Sequence, residues 1–257
     1  MKVDIRFLHR ATAFAVLIAA LPASAAISLT KDSSAFDYRY EMDTAPNNQD
    51  LDSNSTDDWF DTGVPSVSGG YAVSTGAGQI FRGDFTGSIW RAVIPSNTGT
   101  IAWTMEITVG KTGGSQGANG WFGIATDVET NSSALYIKDD RISIEQGATD
   151  LDFMVGSNFG DGTYHTIRIA HDAVANSYYY WVDGTLLNTD LGTAITPGNG
   201  NFATAQSTFI GDYSSSIDGN YSIDSIRLTS GAFAPVPEPA AALLGALGLF
   251  RLLRRRR

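Results

Sequence analysis

The chain has 257 residues, 43% hydrophobic and 11% aromatic, with 27 glycines and no cysteine. Between Ala26 and Val236 stand 25 acidic and nine basic residues, a balance of −16. Such a surface repels phosphate backbones, whose binding needs clustered Lys and Arg to release counterions, so nucleic acid is excluded as a partner. The lack of thiols also excludes disulfides, thiol catalysis and cysteine-based zinc sites, leaving stability to the core.

At the N-terminus, Lys2, Arg6 and Arg10 precede an apolar run from Ala11 to Leu21. Ala23-Ser24-Ala25 then supplies the small residues that signal peptidase accepts, so residues 1–25 are expected to be a helical signal peptide cleaved after Ala25. From Phe36 the period changes to two: Phe36, Tyr38, Tyr40 and Met42 share one face, and Asp37, Arg39 and Glu41 the other. Ile101, Trp103, Met105, Ile107 and Val109 repeat the alternation against polar neighbours. Shorter strands are expected at Trp121 to Thr126, Ala134 to Lys138, Arg141 to Glu145, Leu151 to Val155, Tyr164 to Ala170, Tyr178 to Val182, Thr208 to Ile210 and Ser222 to Leu228. Gly, Asn and Asp between them suit hairpins, and no internal stretch sustains a helical period. Evenly spaced short strands predict an all-β, two-sheet antiparallel sandwich over residues 26–229.

Two segments sharpen this expectation. Asp161-Gly162-Thr163-Tyr164-His165-Thr166-Ile167 leads through a polar turn to Tyr178-Tyr179-Tyr180-Trp181-Val182-Asp183-Gly184, and Tyr221-Ser222-Ile223-Asp224-Ser225-Ile226-Arg227-Leu228 follows later. These resemble the central hairpin and closing strand of laminin-G-like, concanavalin A-like domains. Tyr164 stands where a tryptophan is commoner, and Ser225 replaces a second aspartate. The resemblance implies a jelly roll and makes His165 a packing or hydrogen-bonding residue.

Residues 230–236 read as a short linker. Pro237-Glu238-Pro239 then leads into the apolar run Ala240 to Phe250, followed by Arg251 and the four arginines Arg254 to Arg257. This order resembles the PEP-CTERM sorting signal over residues 237–257. The resemblance implies processing by an exosortase-type membrane enzyme in Gram-negative bacteria that make extracellular polysaccharide. The fourteen residues from Ala240 to Leu253 would reach only about 21 Å as a helix, short of a hydrocarbon core of about 30 Å, so the segment suits a transient membrane handle. Basic clusters at both ends stay inside, which puts the sandwich outside, at the cell surface or in the extracellular matrix.

Concanavalin A-like folds host binding modules and glycosidases alike, so chemistry must be sought in residues. Jelly-roll glucanases present paired carboxylates as Glu-x-Asp-x-x-Glu. The four glutamates before the sorting motif, Glu41, Glu106, Glu129 and Glu145, do not form that spacing, and no Gly-x-Ser-x-Gly elbow occurs. No catalytic residue is assigned and no enzyme is expected; His165 and His171 are the mature region's two histidines. No cofactor is required. Calcium is the one cation an acidic loop of Asp50, Asp52, Asn54, Asp58 and Asp61 would hold, although Ser55 occupies the sharp-turn glycine position. Trp59, Trp121, Tyr179 and Trp181 are the candidates for stacking on a sugar. Tyr179 and Trp181 are out of phase with Tyr178, Tyr180 and Val182, so either both faces of that strand are covered or one presents an aromatic strip. The expected function is a sorted surface or matrix protein with a non-catalytic carbohydrate- or protein-binding sandwich. The alternatives are a secreted glycoside hydrolase or polysaccharide lyase of the same fold and a structural matrix protein without a specific ligand.

Overall fold

The structure, a computed structural model, describes residues 27–236 other than 28, 47–48, 54, 56–57, 63–64, 76–77, 79, 84–87, 95–100, 129–130, 147–148, 161, 188–197 and 200–206. The expected signal peptide with Ala23 and Ala25, and the sorting motif Pro237, Glu238 and Pro239 with its apolar run, lie outside these residues. Among the described residues no helix is long and apolar enough to cross a membrane.

The described strands, in chain order, are β1 (Tyr38–Tyr40), β2 (Phe60–Thr62), β3 (Ser66–Ser68), β4 (Tyr71–Ser74), β5 (Ile80–Arg82), β6 (Trp103–Gly113), β7 (Phe122–Val128) and β8 (Asn131–Ile137). They continue with β9 (Ile142–Gln146), β10 (Thr149–Phe153), β11 (Tyr164–Asp172), β12 (Ser177–Val182), β13 (Thr185–Leu186), β14 (Gly198–Asn199), β15 (Ser207–Gly211) and β16 (Asn220–Ser230). One sheet runs β13-β12-β11-β6-β16-β4-β3 with β1 beside β16; the other runs β10-β9-β8-β7-β15-β5-β2 with β14 beside β8. All strand pairs are antiparallel. This is the two-sheet jelly-roll sandwich that the alternation predicts.

Period two explains the core directly. Trp103, Met105, Ile107 and Val109 of β6 are wholly buried and meet Ile167 and Ile169 of β11, Ile226 and Leu228 of β16, and Phe122, Ile124, Leu135 and Ile137 from the facing sheet. Trp90 and Trp103 cross edge to face at 5.0 Å, a favoured aromatic geometry. Trp90 belongs to a single-turn helix α1 (Ile89–Val93), capped where Ser88 accepts the Arg91 amide at 3.3 Å. Five residues cannot show a helical period, which is why α1 is invisible to the pattern. The same brevity hides β2 to β5, each three or four residues long.

Three expectations change. The strand expected through Val155 stops at Phe153, because Met154 turns left-handed at φ 52° and Val155 projects into solvent. Phe36 does not share the core face of Tyr40 and Met42: a 3-10 turn, Ser33–Ala35, precedes it, and its ring lies 5.0 Å from the Arg168 guanidinium. Residues 230–236 do not run free: Ser230 ends β16, Gly231 turns back at φ 94°, and Ala234 is buried.

Candidate functional site

The β6 sheet turns one face to the core and the other outward, and the outward face divides into two halves. Strand register places Thr104, Glu106 and Thr108 of β6 beside Ala170, Arg168 and Thr166 of β11 on one side. Thr229, Arg227 and Ser225 of β16 stand on the other side. The half around Thr104 and Glu106 is covered. Residues 29–31 and 234 join as parallel backbone, with the Lys31 amide donating to the Ala234 carbonyl at 3.1 Å and the Ala234 amide to Leu29 at 2.8 Å. Ile27 and Ala234 bury Ala170, Tyr179 and Trp181 in a small cluster of their own.

Beneath this cover lies an ion-pair chain. Glu106 accepts from Arg168 Nε at 2.8 Å and from Arg227 Nη1 at 3.1 Å, and Arg227 reaches Glu41 at 2.9 Å. Arg168 also donates to the Lys31 carbonyl at 2.9 Å and to Ser33 Oγ at 3.1 Å, so its charge ties the covering segment to the sheet. The Arg227 hydrogen bond holds the Glu41 carboxyl below its usual range, against an opposing push from burial.

The other half of this face is open. Here β3 and β4 form a hairpin in which Ser68 pairs with Tyr71 across Gly69-Gly70. Both glycines have positive φ, 64° and 83°, as a two-residue primed turn requires. The turn delivers Tyr71 to the outward face, where its ring centre lies 5.5 Å from that of Tyr164, the planes inclined at 42°. These are the only exposed aromatic side chains among the described residues, at 38% and 41%. The Tyr164 ring crosses Gly110, where a Cβ would lie 3.2 Å from Tyr164 Cγ and 2.9 Å from the Thr163 carbonyl. Its hydroxyl donates to Ser222 Oγ at 2.9 Å, which fixes the ring's direction. Thr108 and Thr166, 3.2 Å apart through their hydroxyls, extend the same face. The assembled surface is two aromatic faces with neutral hydroxyls beside them.

The residues singled out from sequence are placed elsewhere. Trp59 (1% exposed) packs edge-on against Phe81, Trp121 (0%) lies against Phe122, and Tyr179 and Trp181 (3% each) are under the cover. None has a free ring face for stacking, because each is buried in an apolar cluster. Both faces of β12 are therefore covered, with Tyr178 and Tyr180 inward and Tyr179 and Trp181 beneath the terminal segments.

In the acidic loop, Asp50 accepts the Ser55 amide at 3.0 Å, while buried Asp58 accepts the Leu51 amide. Asp52 lies half-buried in this loop, Asp61 is on β2, and Asn54 lies outside the described residues. No group of three or more His, Asp or Glu side chains with metal-binding geometry occurs among the described residues. His165 bonds Asp183 at 2.7 Å and packs on Phe159, and buried His171 bonds the Ile101 carbonyl at 3.0 Å. Asp183 also accepts the Thr166 amide at 2.8 Å, so the Asp-Gly turn closes the hairpin against β11.

Tyr71 escaped the sequence reading, and Tyr164 entered it as a strand end and a replacement for tryptophan, not as a ligand contact. The legible signal was Ser68-Gly69-Gly70-Tyr71, a tight hairpin that pairs its two flanking residues directly across the turn.

No family model and no curated protein matches the chain. Among solved structures it is similar to Trypanosoma rangeli sialidase in complex with sialic acid, with a TM-score of 0.46, 12% identity and coverage of 65% of this chain and 26% of that one. The chain thus spans about a quarter of that sialidase. It is also similar to the Ruminococcus gnavus IT-sialidase CBM40 bound to alpha2,3 sialyllactose (TM-score 0.41, 12% identity, 63% and 88% covered). A third is the carbohydrate esterase of the Shiga toxin-encoding bacteriophage phi24B (TM-score 0.44, 9% identity, 68% and 87% covered).

Proposed function

We propose that the chain is an exported, non-catalytic surface or matrix protein whose jelly-roll domain binds carbohydrate through the Tyr71–Tyr164 face. The supporting observation is that the two exposed aromatic rings of the described structure lie side by side and are bordered by hydroxyls. Sugar rings stack on aromatic faces and exchange hydrogen bonds with neutral polar groups at the rim. One ring held by Ser222 also limits the ordering cost of binding. Export and sorting rest on the residue order at the two ends, with signal peptidase and an exosortase-type enzyme as processing partners. In this scheme the membrane holds the chain through its C-terminal segment until processing.

The test is retention of the chain on immobilised extracellular polysaccharides, with product release measured in parallel. Wild type is expected to be retained without releasing sugar, and a Tyr71→Ala, Tyr164→Ala double variant to lose at least tenfold in affinity while unfolding at the same temperature within a few degrees. Equal retention of the double variant overturns the site; steady release of reducing ends overturns the non-catalytic role. For export, mass spectrometry of the protein from its native cell surface is expected to find an N-terminus at Ala26 and a C-terminus near Pro237. A full-length chain in the cytosol would refute it.

A further inference from the structure

We infer that the Tyr71–Tyr164 face takes a neutral glycan and discriminates against uronic and sialic acid polymers; this rests on the carbohydrate reading above. The inference comes from where the positive charge on this face goes. A carboxylated sugar desolvated on a protein needs an available guanidinium or ammonium group, since burying its charge unpaired is costly. On the outward face of the β6 sheet the described cations are Lys31, Arg39, Arg168 and Arg227, and each is held by a carboxylate of the protein. Lys31 pairs with Asp37 at 3.0 Å and Arg39 with Glu41 at 3.0 Å. Arg168 pairs with buried Glu106, and Arg227 with both Glu41 and Glu106. Recruiting one of them to a ligand would take a cation from its carboxylate, and at Glu106, only 4% exposed, would leave a buried charge with one partner in place of two.

The groups this face offers beside one another are uncharged: the two phenol rings and the half-buried Thr108 and Thr166 hydroxyls, with buried Ser222 serving to hold Tyr164. The field of the whole domain acts in the same direction, because a balance of −16 between Ala26 and Val236 repels polyanions before contact. Rings and hydroxyls reward a sugar for its C–H faces and its own hydroxyls, which a neutral hexose polymer supplies along its whole length.

The experiment titrates the full chain, kept soluble in a polyoxyethylene detergent, with dextran, a soluble β-glucan, polygalacturonate and sialyllactose at low salt and at half-molar salt. One or both neutral polymers are expected to bind, with affinity changing less than twofold with salt and falling at least tenfold in the Tyr71→Ala, Tyr164→Ala variant. Polygalacturonate and sialyllactose are expected to bind at least tenfold more weakly at low salt, with the gap narrowing for polygalacturonate as its repulsion is screened. Tight binding of either anionic sugar, weakened by salt, overturns neutral selectivity while leaving the carbohydrate reading intact. Binding of none of the four overturns the carbohydrate reading itself, and the selectivity with it. Binding of a neutral polymer that survives in the double variant shows that the glycan sits elsewhere, which also overturns the inference for this face.

Discussion

The two halves of the outward face of the β6 sheet carry the same kinds of residue and put them to opposite uses. Around Glu106, aromatic side chains and charges are sealed beneath Ile27, residues 29–36 and residues 231–236, with Tyr179 and Trp181 3% exposed. Around Gly110, Tyr71 and Tyr164 stay 38% and 41% exposed on the same sheet. An aromatic strip on a strand is therefore no guide to a binding surface until it is known which segments of the chain return to cover it.

If the covered half is structural, breaking it costs the most. Arg168→Leu leaves Glu106 with Arg227 as its one cation under the cover and removes the ties to the Lys31 carbonyl and Ser33. Loss of one partner of a buried pair is expected to destabilise by about 3–5 kcal/mol, read from denaturant unfolding. A loss below about 1 kcal/mol would mean that the terminal segments do not seal this half in solution.

The aromatic residues give the sharpest contrast. Trp181→Ala, which empties the cluster around Ile27 and Ala234, should cost about 3–5 kcal/mol. Tyr71→Ala on the open half should cost less than about 1 kcal/mol, as exposed positions do. Equal losses in thermal or denaturant melts would erase the distinction between the halves.

The smallest effect is in acid. Glu41 is held below its usual value of 4.5, chiefly by its hydrogen bond to Arg227. A carboxyl depressed by folding contributes stability that is whole above the unfolded value and is lost as pH falls through the folded one. Asp212, raised by burial, works in the opposite sense and gains as it protonates. Stability should therefore be flat from neutrality to about pH 5 and fall below the unfolded carboxylate range near pH 4, with Glu41→Gln flattening part of that limb. An acid limb identical in wild type and Glu41→Gln would show that Glu41 is not held by Arg227 in solution.

Strands long enough to repeat a period were legible. The alternation of β6 predicted which of its side chains enter the core, and the β11–β12 hairpin was visible as two runs joined by a polar turn. Asp224 fell within a legible motif, yet its place at a β-bulge, where the register of β16 against β6 slips between Ile223 and Ser225, needed the partner strand. Strands of three or four residues were not legible, because pairing rather than pattern creates them. The aromatics singled out from sequence are buried for a related reason: composition ranked tryptophans first, and apolar burial takes tryptophans first.

By itself, the chain's order of residues determined the all-β class, the inward face of each long strand and the acidic balance, since side-chain alternation and charge are local properties. Only the tertiary structure decided which outward side chains meet solvent. That choice depends on two segments some two hundred residues apart pairing at Thr30 and Ala234 and closing over half of one face. Among the described residues it left Tyr71 and Tyr164 as the exposed rings.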